Sequence, residues 1–276
     1  MRTVGEQPRT QSAGFERSLA GRPDVAFRDA YLARIGLTTA DVSGSDLDDQ
    51  VILERVTRAQ LATIPFENLT IHNRCIVDVG PVAIEHKIID GRRGGICYEL
   101  NGLMARGLQS LGFDVLLIGA AVARDHGTFG PALGHMVAAV TSGDRHWLAD
   151  NGFGGSSVLT PISAQQIHTP IDITTSTGRY RTDGTAYRLD EFSDIAHWQS
   201  TSPEARFTAS IVCSITDDTH RITMSRGRSE PFTLTRTDLV SGRRHSRTIT
   251  DDAVCAVLDD LFGISLEIPP VVARFR

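Results

Sequence analysis

Apolar and polar positions change rhythm part-way along the chain. From Phe27 the spacing is helical, first in FRDAYLARIGL and then in SDLDDQVILERVTRAQLATI, where Leu47, Val51, Leu53, Val56 and Leu61 recur at helical intervals and Ser45 is placed to cap. A third helix is predicted from Cys97 to about Leu111, with Leu100, Leu103, Met104, Leu108 and Leu111 in one stripe and Gly112 as its stop. Beyond Gly112 the alternation is that of strands: DVLLIGAAVA, HMVAAV and HWLAD, separated by loops rich in Gly and Asp. Residues 155–205 are rich in Thr and Ser with short strand-like pieces. ARFTASIVCSIT, HRITMSR and PFTLTRTDL resume the alternation, and DDAVCAVLDDLFG reads as a closing helix. Residues 1–26 are polar without a sustained period and read as a loose extension. No internal repeat or long linker divides the chain, so the blocks are expected to pack as one unit.

Composition narrows the class. The chain has 276 residues, 41% of them hydrophobic, which suffices for a substantial core. Its 28 basic residues are outnumbered by 33 acidic ones, so no broad positive field exists and neither nucleic acid nor a membrane surface is an expected partner. The first residues lack the apolar region of a leader, and no apolar run approaches the roughly 18 residues of a membrane helix, so a cytoplasmic location is expected. Cys75, Cys97, Cys213 and Cys255 show no CxxC spacing and read as free thiols, with Cys213 and Cys255 in the core. No metal is expected.

The candidate chemistry lies in RGGICYELNGL, residues 93–103, where two glycines precede a cysteine at an apparent helix start. Glycine allows a tight turn and close backbone approach, and the helix start offers unpaired N–H groups and a positive dipole end, all favourable to a thiolate. A thiolate needs a base. Of the nine histidines, His135 begins HMVAAV, which is followed by the turn TSGD and by HWLAD ending at Asp150. A hairpin loop centred between Ser142 and Gly143 would set His135 directly opposite Asp150, close enough for an imidazole–carboxylate hydrogen bond. A register slip of one residue would put them on opposite faces. His146 shares the expected face with Asp150 and is a weaker rival.

RGGICYELNGL, IPFENLTIH at 64–72, His135, and Asp150 with the following NGFGG together resemble the arylamine N-acetyltransferase family. AYLARIGL, STSPEARFT at 200–208 and LDDLFGISL agree with it in order and spacing. The resemblance implies an α+β fold: an N-terminal extension and helical bundle over 1–112, a β-barrel domain over 113–210 and an α/β lid over 211–276, around a papain-like Cys-His-Asp core. It implies Cys97 as acyl-accepting nucleophile, His135 as base and Asp150 as orienting carboxylate. It also implies a structural ion pair between Glu67 and Arg93, an acceptor pocket lined by Phe66 and Phe153, and a coenzyme A channel near Gly134, Gly152 and Gly154. The expected donor is acetyl-CoA and the expected acceptor a small arylamine, arylhydrazine or N-hydroxyarylamine. Ile96, Gly134 and Asn151 depart from the residues usual at those places and bear on donor and acceptor preference. An amide synthase of the same fold, using a larger carrier-bound acyl group, and a cysteine hydrolase are the alternatives.

Overall fold

Asp24 accepts the Phe27 amide at 2.9 Å and so starts helix α1, Val25–Arg34. The computed structural model describes residues 23–44, 47–124 and 127–275. Most of the proposed loose extension, and the proposed cap Ser45, lie outside the described residues. Helix α2, Asp49–Thr63, is capped by Asp48, whose carboxylate accepts the Gln50 amide at 2.8 Å. Its buried stripe is Leu53, Val56, Thr57 and Gln60, so Val51, assigned to the apolar face, is 41% exposed instead. Gln60 belongs inside because both ends of its amide are satisfied there: Oε1 accepts from the Tyr31 hydroxyl at 2.8 Å and Nε2 donates to the Leu100 carbonyl at 3.0 Å.

Strand β1, Phe66–Glu67, and the short helices α3, Leu69–His72, and α4, Pro81–Glu85, lead through a π-helical turn at His86–Asp90 to α5, Cys97–Ser110. Helix α5 is buried on nearly every side. Tyr31 packs where a side chain at Gly107 would stand, and Gly112, at φ +98°, turns the chain out of the helix.

Six antiparallel strands then form one sheet in the order β5-β4-β3-β2-β7-β6: β2 Asp114–Val122, β3 His135–Ser142, β4 Arg145–Phe153, β5 Ser156–Ile162, β6 Asp172–Thr175 and β7 Gly178–Tyr187. Its edge strands β5 and β6 approach each other, nearly closing a barrel. One face of β2, β3 and β4 fills the barrel with Ile118, Val137, Ala139 and Leu148; the other packs Leu117, Ala138, Val140 and Trp147 with α5 into the main core. Strands buried on both faces explain why these segments read as nearly continuous apolar runs.

Helices α6, Ser193–Thr201, and α7, Arg206–Ala209, occupy part of the stretch expected to be strand-like. A second sheet runs β1-β8-β9-β10-β11, with β8 Ser210–Thr216, β9 His220–Gly227, β10 Phe232–Asp238 and β11 Arg244–Ile249. Helix α8, Val254–Phe262, covers it through Val254, Leu258 and Phe262. Cys213 is buried in this core, but Cys255 turns away from the stripe 254/258/262 and is only half-buried, contrary to expectation. Strand β1 pairs with β8, Glu67 opposite Cys213, so the N-terminal block lends a strand to the C-terminal sheet. No described helix is long and apolar enough to cross a membrane.

Candidate active site

Cys97 is the first residue of α5, delivered by a loop that only glycine permits. The Gly95 amide donates to the Pro65 carbonyl at 3.3 Å and the Glu67 amide to the Gly95 carbonyl at 2.9 Å. A Cβ on Gly94 would lie 2.0 Å from the Pro65 oxygen. Beneath this loop lies a layer of four charges. Arg93 Nη2 donates to Glu67 Oε1 at 2.7 Å, Lys87 Nζ donates to Glu99 Oε1 at 2.6 Å and stands 4.0 Å from Glu67. The remaining carboxylate oxygens accept backbone amides, Leu69 on Glu67 at 2.6 Å and Ile96 on Glu99 at 2.9 Å. Glu99 thus closes the start of the helix that carries Cys97. Burial pushes the Glu67 carboxyl up, but Lys87 and Arg93 outweigh it and the net shift is downward. At Glu99 burial prevails over Lys87, and the shift is upward. Arg34 braces the same loop from behind, donating to the carbonyls of Ile88 at 2.8 Å, Thr63 at 2.9 Å and Arg93 at 3.2 Å. Sequence reasoning overlooked Lys87 and Glu99. Glu99 carried a signal, an acid at the third helical position; Lys87 carried none.

His135 and Asp150 come from one hairpin. Ala138 pairs with Ala149 and Ser142 with Arg145, so the turn is the dipeptide Gly143-Asp144 and its centre falls one residue later than expected. The register therefore differs by two residues, and a shift of two preserves faces. Asp150 is no longer directly opposite His135 but diagonal to it on the same side. His135 Nε2 meets Asp150 Oδ2 at 2.8 Å, both side chains being almost fully buried. Asp150 Oδ1 accepts from Asn101 Nδ2 at 2.8 Å and from the Gly152 amide at 2.7 Å. Burial alone would hold His135 neutral, but the Asp150 charge and hydrogen bond, with a further hydrogen bond to Cys97, raise its pKa to about 10. Asp150 is pushed up by burial and pulled further down by His135, Asn101 and Gly152, for a net lowering. Nε2 being engaged by Asp150, Nδ1 is the nitrogen left for the thiol. His146 instead meets the Thr141 hydroxyl at 2.8 Å near the turn.

The other expected residues divide by position. The Phe153 ring lies 5.0 Å from His135 and is half-buried, whereas Phe66 is a core residue packed 5.8 Å from Phe207. Gly152 sits against Cys97: a Cβ there would lie 2.7 Å from Cys97 Cα. Gly134 is buried ahead of His135, its amide donating to the Pro131 carbonyl at 3.1 Å, and Gly154, at φ +62°, forms the open turn between β4 and β5. Tyr180, missed in the sequence, packs 4.8 Å from His135 and 5.0 Å from Phe153, with its hydroxyl buried and unpartnered. Tyr98, next to Cys97, donates to the carbonyl of Leu133 at 2.9 Å; Leu133 takes a left-handed φ of +59° two residues before His135. Among the described residues no group of three or more His, Cys, Asp or Glu side chains could hold a metal ion.

A family model for N-acetyltransferases matches residues 49–187 and 174–271. An arylamine N-acetyltransferase / N-hydroxyarylamine O-acetyltransferase of Salmonella typhimurium is 36% identical over 178 residues, 64% of this chain and 60% of that protein. The alignment thus spans well under two thirds of that relative's length. Proansamycin X synthase of Amycolatopsis mediterranei is 29% identical over 248 residues, 81% of this chain and 92% of that protein. The solved arylamine N-acetyltransferase of Mycobacterium smegmatis superposes with a TM-score of 0.71 at 26% identity, covering 86% of this chain and 92% of that one.

Proposed function

Because the chain belongs to the arylamine N-acetyltransferase family, we propose that it moves an acetyl group from acetyl-CoA to an arylamine, arylhydrazine or N-hydroxyarylamine through an acetyl-cysteine at Cys97. One observation carries this reading: the buried His135–Asp150 pair at 2.8 Å, electrostatically coupled to Cys97 at the first residue of a helix. A charged imidazole beside that sulfur favours the thiolate, which is the nucleophilic form. The thiolate attacks the thioester carbonyl, and the oxyanion that develops is met by the unpaired N–H groups of the helix start. Collapse breaks the carbon–sulfur bond to coenzyme A, whose thiolate leaves with the proton from His135. The arylamine nitrogen, largely unprotonated at neutral pH, then attacks the acetyl-cysteine. His135 takes the amine proton, the amide departs, and the thiolate–imidazolium pair is restored.

Phe153, beside His135, supplies an apolar and stackable wall for an aromatic acceptor. Phe66, packed 5.8 Å from Phe207, is assigned to the same acceptor pocket on this reading. Gly134, Gly152 and Gly154 are assigned to the coenzyme channel on this reading, and Gly152 alone of them packs against Cys97. Glu67 and Arg93 fix the loop that carries the nucleophile.

The match to proansamycin X synthase across most of both chains favours one second reading, an amide synthase that accepts a larger carrier-bound acyl group. Initial rates measured against acetyl-CoA at several arylamine concentrations test the first reading. A double displacement through one thiol gives parallel reciprocal plots. Intersecting plots contradict it, and turnover seen only with a longer acyl thioester selects the amide synthase.

A further inference from the structure

We infer that Asn101 is a positioning residue that ties the nucleophile, base and acid into one unit and holds Asp150 ionised in the orientation His135 needs; the inference rests on the Cys97 reading above. Asn101 lies four residues after Cys97, on the same face of α5. It is wholly buried, and both polar atoms of its amide are directed at the strands that carry His135 and Asp150. Nδ2 donates to Asp150 Oδ1 at 2.8 Å and to the carbonyl of Met136, the neighbour of His135, at 2.6 Å. Oδ1 accepts the amide of Asn151, the neighbour of Asp150, at 2.8 Å. The amide cannot be turned over. Its oxygen would then face the Met136 carbonyl and the Asp150 carboxylate, acceptor against acceptor, and its nitrogen the Asn151 N–H, donor against donor.

The consequence for Asp150 is specific. Asn101 and the Gly152 amide occupy Oδ1 while Oδ2 meets His135, which fixes the carboxylate rotamer. Two donors on a carboxylate favour its charged form, and that charge in turn favours the imidazolium. Space is equally committed, because a Cβ on Gly152 would come within 2.8 Å of Asn101 Nδ2. A neutral side chain that merely filled volume would not require this pattern of donors.

The test is the pH profile of Cys97 alkylation by iodoacetamide, read by peptide mapping on the full chain, for the unaltered protein and for Asn101→Ala and Asn101→Asp. Asn101→Asp keeps the shape but sets a second carboxylate against Asp150; the two cannot both stay charged easily, and a proton held on Asp150 takes the counter-charge from the imidazolium. At about pH 6 its alkylation should be slower by roughly tenfold or more, with the whole profile moved toward higher pH. Asn101→Ala should move the same way by less. Near-ultraviolet circular dichroism reports whether each variant is folded. If neither folds, the unaltered protein decides: the Asn101 side-chain amide resonance should follow the His135 titration and its hydrogens should resist exchange. Folded variants with the parent profile overturn the inference, as does an Asn101 amide that exchanges like a surface one and ignores the titration. The readout needs no acyl donor, so failure of Cys97 to accept acetyl from acetyl-CoA would contradict the proposed function while leaving Asn101 scored separately.

Discussion

His135 is where opposing physical effects meet, and their balance sets the pH behaviour of the site. Burial disfavours its charged form, yet Asp150 and Cys97 raise its pKa to about 10. A folded value above the unfolded one, about 6.5, stabilises the fold fully below that unfolded value, and the contribution is lost as pH rises through the folded value. Asp150 works in the opposite sense: its lowered pKa contributes above the ordinary carboxylate range and is lost as pH falls through the folded value. Thermal melts should therefore hold between about pH 5 and 6.5 and decline progressively toward about pH 10. Asp150→Asn should flatten that alkaline decline, because burial then acts on His135 without the compensating charge. The same variant should retain its fold and lose activity by about 10³- to 10⁴-fold, since an amide neither stabilises imidazolium nor fixes the tautomer. Near-normal turnover in a folded Asp150→Asn protein would remove Asp150 from the chemistry.

Among the elements, the placement of Cys97 depends on two close approaches and one layer of charge. Removing one member of a buried ion pair strands the other, so Arg93→Met should cost about 3 kcal/mol in urea unfolding, softened by Lys87 4.0 Å from Glu67. An unchanged midpoint would mean that the layer contributes nothing. Gly152→Ala should push β4 away from α5, because its methyl would stand 2.7 Å from Cys97 Cα; overpacking of this kind costs about 1 to 3 kcal/mol. Much of this was legible in local pattern. The stripe of α5, the stop at Gly112, the strands β2 to β4 and the shared face of His135 and Asp150 all follow from spacing. The exact turn did not, since Ser142 and Gly143 fit a loop centre as well as Gly143 and Asp144 do. Nor did the inner face of α2, because a glutamine at position 60 becomes a core residue only once Tyr31 and the Leu100 carbonyl are seen to satisfy it. Helix α6 and strand β11 carry weak patterns, SDIAHWQST and the almost wholly exposed RHSRTI. Asn101 and Lys87 were invisible for a like reason, as their partners lie far away in sequence.

For the molecule as a body, the decisive feature is that sequence-distant parts complete one another. Strand β1 is held by β8, and Asn68 beside it donates to the carbonyls of Phe207 and Ser210 at 2.9 and 2.8 Å and accepts the Val212 amide at 2.8 Å. Glu67, which anchors the loop leading to Cys97, is therefore positioned by the C-terminal sheet. A chain ending before β8 should lose reactivity at Cys97 even though Cys97, His135 and Asp150 all remain, and alkylation of that truncated chain checks it. If the assembled site exists to let Cys97 hold an acyl group, mass spectrometry of the intact protein after mixing with acetyl-CoA alone, followed by peptide mapping, should find that group in place. One added acetyl, on the peptide carrying Cys97 and discharged by an arylamine, is the expected outcome; no added mass, or an acetyl group on another residue, would contradict it.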